Sequence, residues 1–205
     1  MDLDPEAKNL EGYLFPDTYE FSPETSAAEV IEMMVERFRD VWKPDWTDRA
    51  RSLNFSPRQI VTTASIIETE AKLADERPLV ASVIYNRLEK SIPLAVDSTI
   101  IYASKLEGKW RYDGKVYLSD IQRRSPYNTR IYAGLPPGPV ASPGESSLKA
   151  ALHPAKSDYL YYVRNPDRDD GAHNFYTNGA EFETGVQALR RWERERDERE
   201  RTQPE

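Results

Sequence analysis

The stretch ASIIETEAKLADER, residues 64–77, constrains this chain more than any other, because it sets two carboxylates into an apolar helical pattern and then restarts a second helix. Its start is marked upstream by Ser56-Pro57-Arg58-Gln59, a capping residue, a proline at the first helical position and a glutamine able to reach back. Ile60, Ala64, Ile67 and Ala71 then recur at helical spacing and define a buried stripe. Glu68 and Glu70 sit two residues apart, so at roughly 100° per residue they point about 200° away from each other and cannot share one cavity. Glu68 has Lys72 four residues on, in the favourable order for an ordinary surface pair, and reads as structural. Glu70 has Ile66 and Ile67 a turn before it, Leu73 and Ala74 a turn after it, and no cation at helical contact spacing. A carboxyl beside such a surface is partly desolvated, which favours the protonated form that a general acid requires. The same pattern fits a solvated glutamate at the stripe's edge, and the local residues leave both readings open.

A chain of 205 residues with net charge −7 can bury a sizeable core, and its acidity argues against nucleic acid as a partner. There is no cysteine, which excludes thiol catalysis, disulfides and cysteine metal sites. No apolar run approaches the ~20 residues of a membrane span, and the amino terminus does not read as a signal peptide, so the chain is expected to be soluble.

Residues 10–21, LEGYLFPDTYEF, read as two short extended pieces around Pro16-Asp17. A helix follows from the Ser26–Glu29 capping box, with Val30, Met33, Met34, Phe38, Val41 and Trp42 on its buried face, and is expected to end at Pro44. After a polar connection, the helix carrying Glu70 is expected to stop near Leu73 or Ala74, and Asp75 to cap the next one. Asp97-Ser98-Thr99 reads as the cap of a short helix, and Asp113-Gly114 suggests a small hairpin over residues 107–118. Residues 125–144 hold five prolines and three glycines, yet also two tyrosines, an isoleucine and a leucine, which favours a fixed, packed loop. A short helix over SSLKAALHP follows. YLYYV (159–163) and HNFYT (173–177) then read as a β-hairpin, and a last helix runs into a charged, frayed end. The fold expected is α+β, a helical part bearing Glu70 with short antiparallel strands at one side of a cleft.

The strings ASIIETEAK, DERPLVASVIYNRL, LAVDSTIIYA, SPYNTRIYAGLPPGPVASPGESSLKAALHPAKSDYLYYV and HNFYTN together resemble the catalytic domain of the bacterial endolytic murein transglycosylases, the YceG-like family. The resemblance spans residues 10–192, with 1–9 and 193–205 as flanks. It implies a lytic transglycosylase that cuts the β-1,4 bond between N-acetylmuramic acid and N-acetylglucosamine within peptidoglycan glycan strands and leaves 1,6-anhydro ends. The family's catalytic glutamate, the second in its I-x-E-x-E string, falls on Glu70. Many members have lysine between the glutamates and threonine after them, where this chain has Thr69 and Ala71. Tyr127, Asn128 and Thr129 are the implied sugar contacts, with backbone approach from Gly134, Leu135 and Pro136, a second edge at Asp97, Ser98 and Thr99, and further contacts at Asn174 and Phe175.

No cofactor or metal is expected, and His153 and His173 read as structural hydrogen-bonding residues. The family implies penicillin-binding cell-wall synthases as partners and the outer face of the cytoplasmic membrane as location. Its membrane anchor and LysM-like domain are not found here, so the sequence reads as a trimmed piece. Three rivals stand beside this reading: a hydrolytic muramidase with Asp97 or Asp17 positioning water, a catalytically silent glycan-binding scaffold, and an aminodeoxychorismate lyase. The last requires pyridoxal phosphate, for which no phosphate-cradling glycine loop or isolated apolar lysine is seen.

Overall fold

The structure, a computed structural model, describes residues 3–202. Its elements in order are α1 (Ala27–Val41), α2 (Pro44–Ser52), α3 (Pro57–Glu70), α4 (Arg77–Glu89), α5 (Asp97–Leu106), α6 (Leu118–Ile121), α7 (Glu145–Leu152), β1 (Tyr161–Arg164), β2 (His173–Tyr176) and α8 (Gly179–Thr202). The central helix is α3, against which α2, α4, α5 and α7 all pack. It earns that position by composition, since every residue from Ile60 to Ile67 is buried and the stripe Ile60, Ala64, Ile67 and Ala71 is at most 1% exposed. Both capping boxes read from sequence are formed, Ser26 with Glu29 and Ser56 with Gln59. An aromatic cluster of Tyr13, Phe38, Trp42 and Trp46 closes the core on the α1–α2 side.

The one sheet among the described residues is the antiparallel pair β1–β2, in the register Tyr161↔Tyr176 to Arg164↔His173. The fold is therefore α+β, as the helical pattern and the hairpin over residues 159–177 led us to expect. Helix α8 covers the hairpin, with the Phe182 ring stacked on Tyr161 at 5.0 Å and the Arg164 guanidinium 4.9 Å from the Trp192 ring centre. No described helix is long and apolar enough to cross a membrane.

Several boundaries differ from the sequence reading. Pro44 does not merely stop α1 but opens α2, where proline suits the first turn and Trp46 and Ala50 are buried. Residues 10–21 contain no strand. Nor do residues 107–118, where the Asp113 carboxylate closes the turn by accepting from the Lys115 amide and the Tyr117 hydroxyl. Helix α3 ends at Glu70, three or four residues early: Ala71 is extended, and the Arg77 guanidinium reaches its carbonyl at 3.4 Å. Asp75 is not the cap of α4; Glu76 occupies that position without a capping hydrogen bond and turns to His173 instead. At α5 the cap position falls on Val96 and Asp97 is the first helical residue, and Thr99 Oγ1 donates back to the Val96 carbonyl in place of any cap by Asp97. The charged end of α8 continues as helix to Thr202, as its run of strong helix formers allows.

The 125–144 loop is fixed and packed, without regular secondary structure. The Val140 amide donates to Ser65 Oγ and the Gly144 amide to Glu68, so α3 holds the loop along its length.

Candidate active site

Because α3 stops at Glu70, this side chain leaves the carboxyl end of the helix with no further turn beside it. It enters a cavity of about 270 Å³ walled by Val83, Ile84 and Arg87 of α4, residues 94–97, Arg130, Tyr161 and Tyr162 of β1, and Phe182 of α8. Glu68 points the other way, toward the Gly144 amide and the Arg77 guanidinium at 3.5 Å. Lys72 is not its partner, since the helix that would align the two has ended. The opposed directions of the two glutamates follow from the helical repeat alone.

The Tyr162 hydroxyl donates to Glu70 Oε2 at 3.0 Å. Burial and the neighbouring Glu70 charge push the Tyr162 phenol well above its ordinary range, so it remains a donor. Burial likewise pushes the Glu70 carboxyl above the usual glutamate range. The Tyr162 and Ser98 side chains pull it back, the Asp97 charge pushes it up and His173 pulls it down. The negative end of the α3 dipole acts in the same direction as burial. Ser98 Oγ is itself buried and makes no aligned hydrogen bond. Behind Tyr162 stands an orienting layer: the His173 ring meets it edge-on at 5.3 Å, Glu76 holds both the His173 amide and Nδ1 at 2.8 Å, and Phe175 lies at 6.0 Å.

The residues expected to contact sugar divide on this geometry. Asp97 lines the cavity, where Arg130 Nη2 holds its carboxylate at 2.7 Å. Thr99, Asn128 and Thr129 do not face it. All three are at most 1% exposed and spend their polar groups internally. The Asn128 amide donates to the Ile121 and Arg123 carbonyls, and Thr129 Oγ1 accepts from the Val96 amide and meets Thr99 Oγ1 at 2.8 Å. They are the struts behind the 94–97 wall. Tyr127 meets the Tyr102 ring at a tilt, 4.8 Å between centres, and lines a separate depression with Arg58, Pro137 and Pro139. Gly134 faces open space at φ +94°, Leu135 packs on the core and Pro136 is buried; none of these three lines the Glu70 cavity. Asn174 accepts from Asn165 and faces another depression, and Phe175 backs Tyr162 rather than the opening.

Arg87, Arg130, Tyr161, Tyr162 and residues 94–96 are the lining that sequence reasoning missed. Tyr161 and Tyr162 are adjacent on β1 and both line the cavity, so strand alternation carries no signal for the pair. The described residues contain no group of histidine and acidic side chains able to hold a metal.

A family model described as the YceG-like family matches residues 2–188. An endolytic murein transglycosylase of Bacillus subtilis (strain 168) is 43% identical over 155 residues, which are 75% of this chain and 41% of that protein. One from Streptococcus pneumoniae serotype 2 is 34% identical over 154 residues, 75% of this chain and 28% of its own length. The chain thus spans less than half the length of these curated relatives. A crystal structure of a YceG-like protein from Listeria monocytogenes superposes with a TM-score of 0.73 at 39% identity, covering 85% of this chain and 54% of that one. With the family match running from residue 2 to residue 188 and a homologous fold beneath it, the chain belongs to the YceG-like family.

Proposed function

We propose that this chain is the catalytic part of an endolytic transglycosylase that cleaves the glycan strands of peptidoglycan without water, with Glu70 as acid and then base. The observation that carries the reading is the asymmetry of the two carboxylates in the cavity. Glu70 is desolvated and accepts a hydrogen bond from Tyr162, whereas Asp97 is tied to Arg130. Ordinary glycosidases need two working carboxyl groups, one acid and one base or nucleophile. A lytic transglycosylase needs one, because its nucleophile belongs to the substrate.

In this mechanism Glu70 gives its proton to the oxygen between N-acetylmuramic acid and N-acetylglucosamine as the bond to the anomeric carbon breaks. The carboxylate left behind takes the proton of the muramic acid 6-hydroxyl, whose oxygen closes on the same carbon and yields a 1,6-anhydro end. The attack is intramolecular, so its geometry supplies the rate advantage of a high effective concentration. Tyr162, backed by His173 and Glu76, keeps Glu70 aimed through both proton transfers. In the full-length protein the reaction would run at the outer face of the cytoplasmic membrane, alongside cell-wall synthases.

Mass spectrometry of murein digests tests the proposal. Anhydro-terminated products from the wild type and none from Glu70→Gln are expected; unchanged turnover by that variant would remove Glu70 from the mechanism. A hydrolytic muramidase is the second reading, favoured only by Asp97 sharing the cavity, and free reducing ends would select it.

A further inference from the structure

Among the described residues nine large apolar side chains are exposed, and seven of them lie between residues 106 and 132. Five fall between Leu106 and Ile121, with Tyr112 79% and Leu118 65% open to solvent. Single apolar residues scattered over a surface are ordinary, whereas a cluster of this kind marks a docking face. Tyr112 stands on a left-handed backbone, φ +58°, a conformation unfavourable for a bulky residue that the loop before α6 nonetheless keeps.

The segment is a fixed lobe. Its hub is Asp120, 1% exposed, which accepts from the Tyr117 amide, from Ser104 of α5 and from Arg123, with Arg111 Nη1 at 3.5 Å. The Asn128 side chain clasps the Ile121 and Arg123 carbonyls, which joins the lobe to the struts behind the 94–97 wall. Helix α5 thus carries Asp97 of the Glu70 cavity at one end and this lobe at the other, roughly 15 Å apart for ten residues.

Charge selects the occupant. Between residues 105 and 124 there are six Lys and Arg against three Asp and Glu, in a chain whose net charge is −7. All three acids are engaged within the lobe: Asp120 is buried, Glu107 is shared by Lys109 and Arg123, and Asp113 accepts from the Tyr117 hydroxyl and the Lys115 amide. Lys105, Lys115 and Arg124 are exposed, and among the described residues no carboxylate lies within ion-pair distance of them. Exposed aromatic and aliphatic side chains among unpaired cations match the interface of an anionic bilayer, where the apolar groups reach the acyl boundary and the cations meet phosphates. A neutral glycan would leave both Leu118 and the cations unanswered, and a second copy of the same face would set positive charge against positive charge. We infer that this lobe docks the chain on an anionic phospholipid surface. The inference goes beyond the glycan-cleaving reading and does not depend on it.

Co-sedimentation of the intact chain with lipid vesicles tests it without any turnover. Binding is expected to vesicles of phosphatidylglycerol and phosphatidylcholine in equal parts, not to phosphatidylcholine alone, and it should weaken as salt rises. Lys115→Gln combined with Arg124→Gln should lower the partition coefficient about twentyfold, roughly fivefold for each cation. Tyr112→Ser combined with Leu118→Ser should weaken binding while leaving its salt dependence unchanged. These positions are exposed, so the melting temperature should hold in both variants. Brominated lipid should quench part of the tryptophan emission, and Trp110→Phe should remove that part. No binding to anionic vesicles, equal binding to both kinds, or binding that the substituted chains retain overturns the inference. So does either rival occupant in a chain that ignores vesicles: a dimer dissolved by Leu118→Ser, or retention on insoluble murein lost with Tyr112→Ser. Absent vesicle binding with Glu70-dependent anhydro products would sink this inference alone; vesicle binding without such products would sink the transglycosylase reading alone.

Discussion

At the scale of single residues, Glu70 makes its own pH dependence. Its pKa is raised chiefly by burial, so the proton a general acid needs is retained to higher pH than on a free glutamate, and activity is expected to fall along an alkaline limb set by that carboxyl. Tyr162 opposes the rise through its hydrogen bond; Tyr162→Phe should therefore move the limb to higher pH while lowering kcat roughly tenfold, about the worth of one charged hydrogen bond. A pH–rate profile of the two proteins checks both shifts. Stability carries the matching sign. A carboxyl whose folded pKa lies above its unfolded one stabilises the fold at low pH and loses that contribution as pH rises through the folded value. Glu70→Gln should consequently melt above the wild type at pH 8, with the gap closing toward pH 4; a constant gap would show that charge is not its cause. That Glu68 and Glu70 diverge is legible from two residues of helical spacing. That Tyr162, 92 positions away, supplies the hydrogen bond is not, because nothing local to either residue records the pairing.

Elements whose ends are written in side chains are legible in the sequence, and those whose ends are set by tertiary contacts are not. The capping boxes at Ser26 and Ser56 announce α1 and α3, and the Pro/Asp/Gly turn between two aromatic runs announces the hairpin. The end of α3 depends on Arg77 reaching back to Ala71, and the start of α4 on Glu76 being drawn to His173; both partners are distant or ambiguous in a single sequence. The same distinction explains Thr129. Its hydroxyl looks like a sugar ligand in a loop, yet it fixes the cavity wall, accepting from the Val96 amide while its carbonyl accepts from Ala95, which is held at a left-handed φ of +54°. Thr129→Val would strand the buried Val96 amide and break the Thr99–Thr129 hydroxyl contact, while the backbone bond from the Ala95 amide remains. A loss of about 1–3 kcal/mol is expected in a urea titration, together with reduced activity, because Asp97 follows directly on the displaced wall. Full stability in that variant would return Thr129 to the list of sugar contacts.

Across the whole molecule, α3 works as a spine with the proposed general acid at one end and its fastening at the other. At its first turn Arg58 joins three distant pieces of chain: it pairs with Asp4, which also accepts from the Tyr13 hydroxyl, and it donates from Nε and Nη2 to the Pro137 carbonyl. Asp4 is 2% exposed, so a segment that reads in sequence as a flank reaches the core through one carboxylate. Removing one partner of a buried pair leaves the other charge uncompensated, at a cost of about 3–5 kcal/mol. Arg58 keeps some solvent contact and its Pro137 acceptor, which argues for the lower end in Asp4→Ala, roughly 3 kcal/mol by denaturant midpoint. Hydrogen exchange in that variant should quicken first at residues 138–140, where the proline-rich loop loses its anchor, and last around Ile66 and Ile67 at the centre of the spine. The Glu70 cavity draws no wall from this cluster, so the folded fraction is expected to keep its turnover number. A variant that holds its stability but loses turnover would mean that the clasp at Asp4 and the acid at Glu70 are coupled through α3, and the two ends of the helix would then have to be treated as one site.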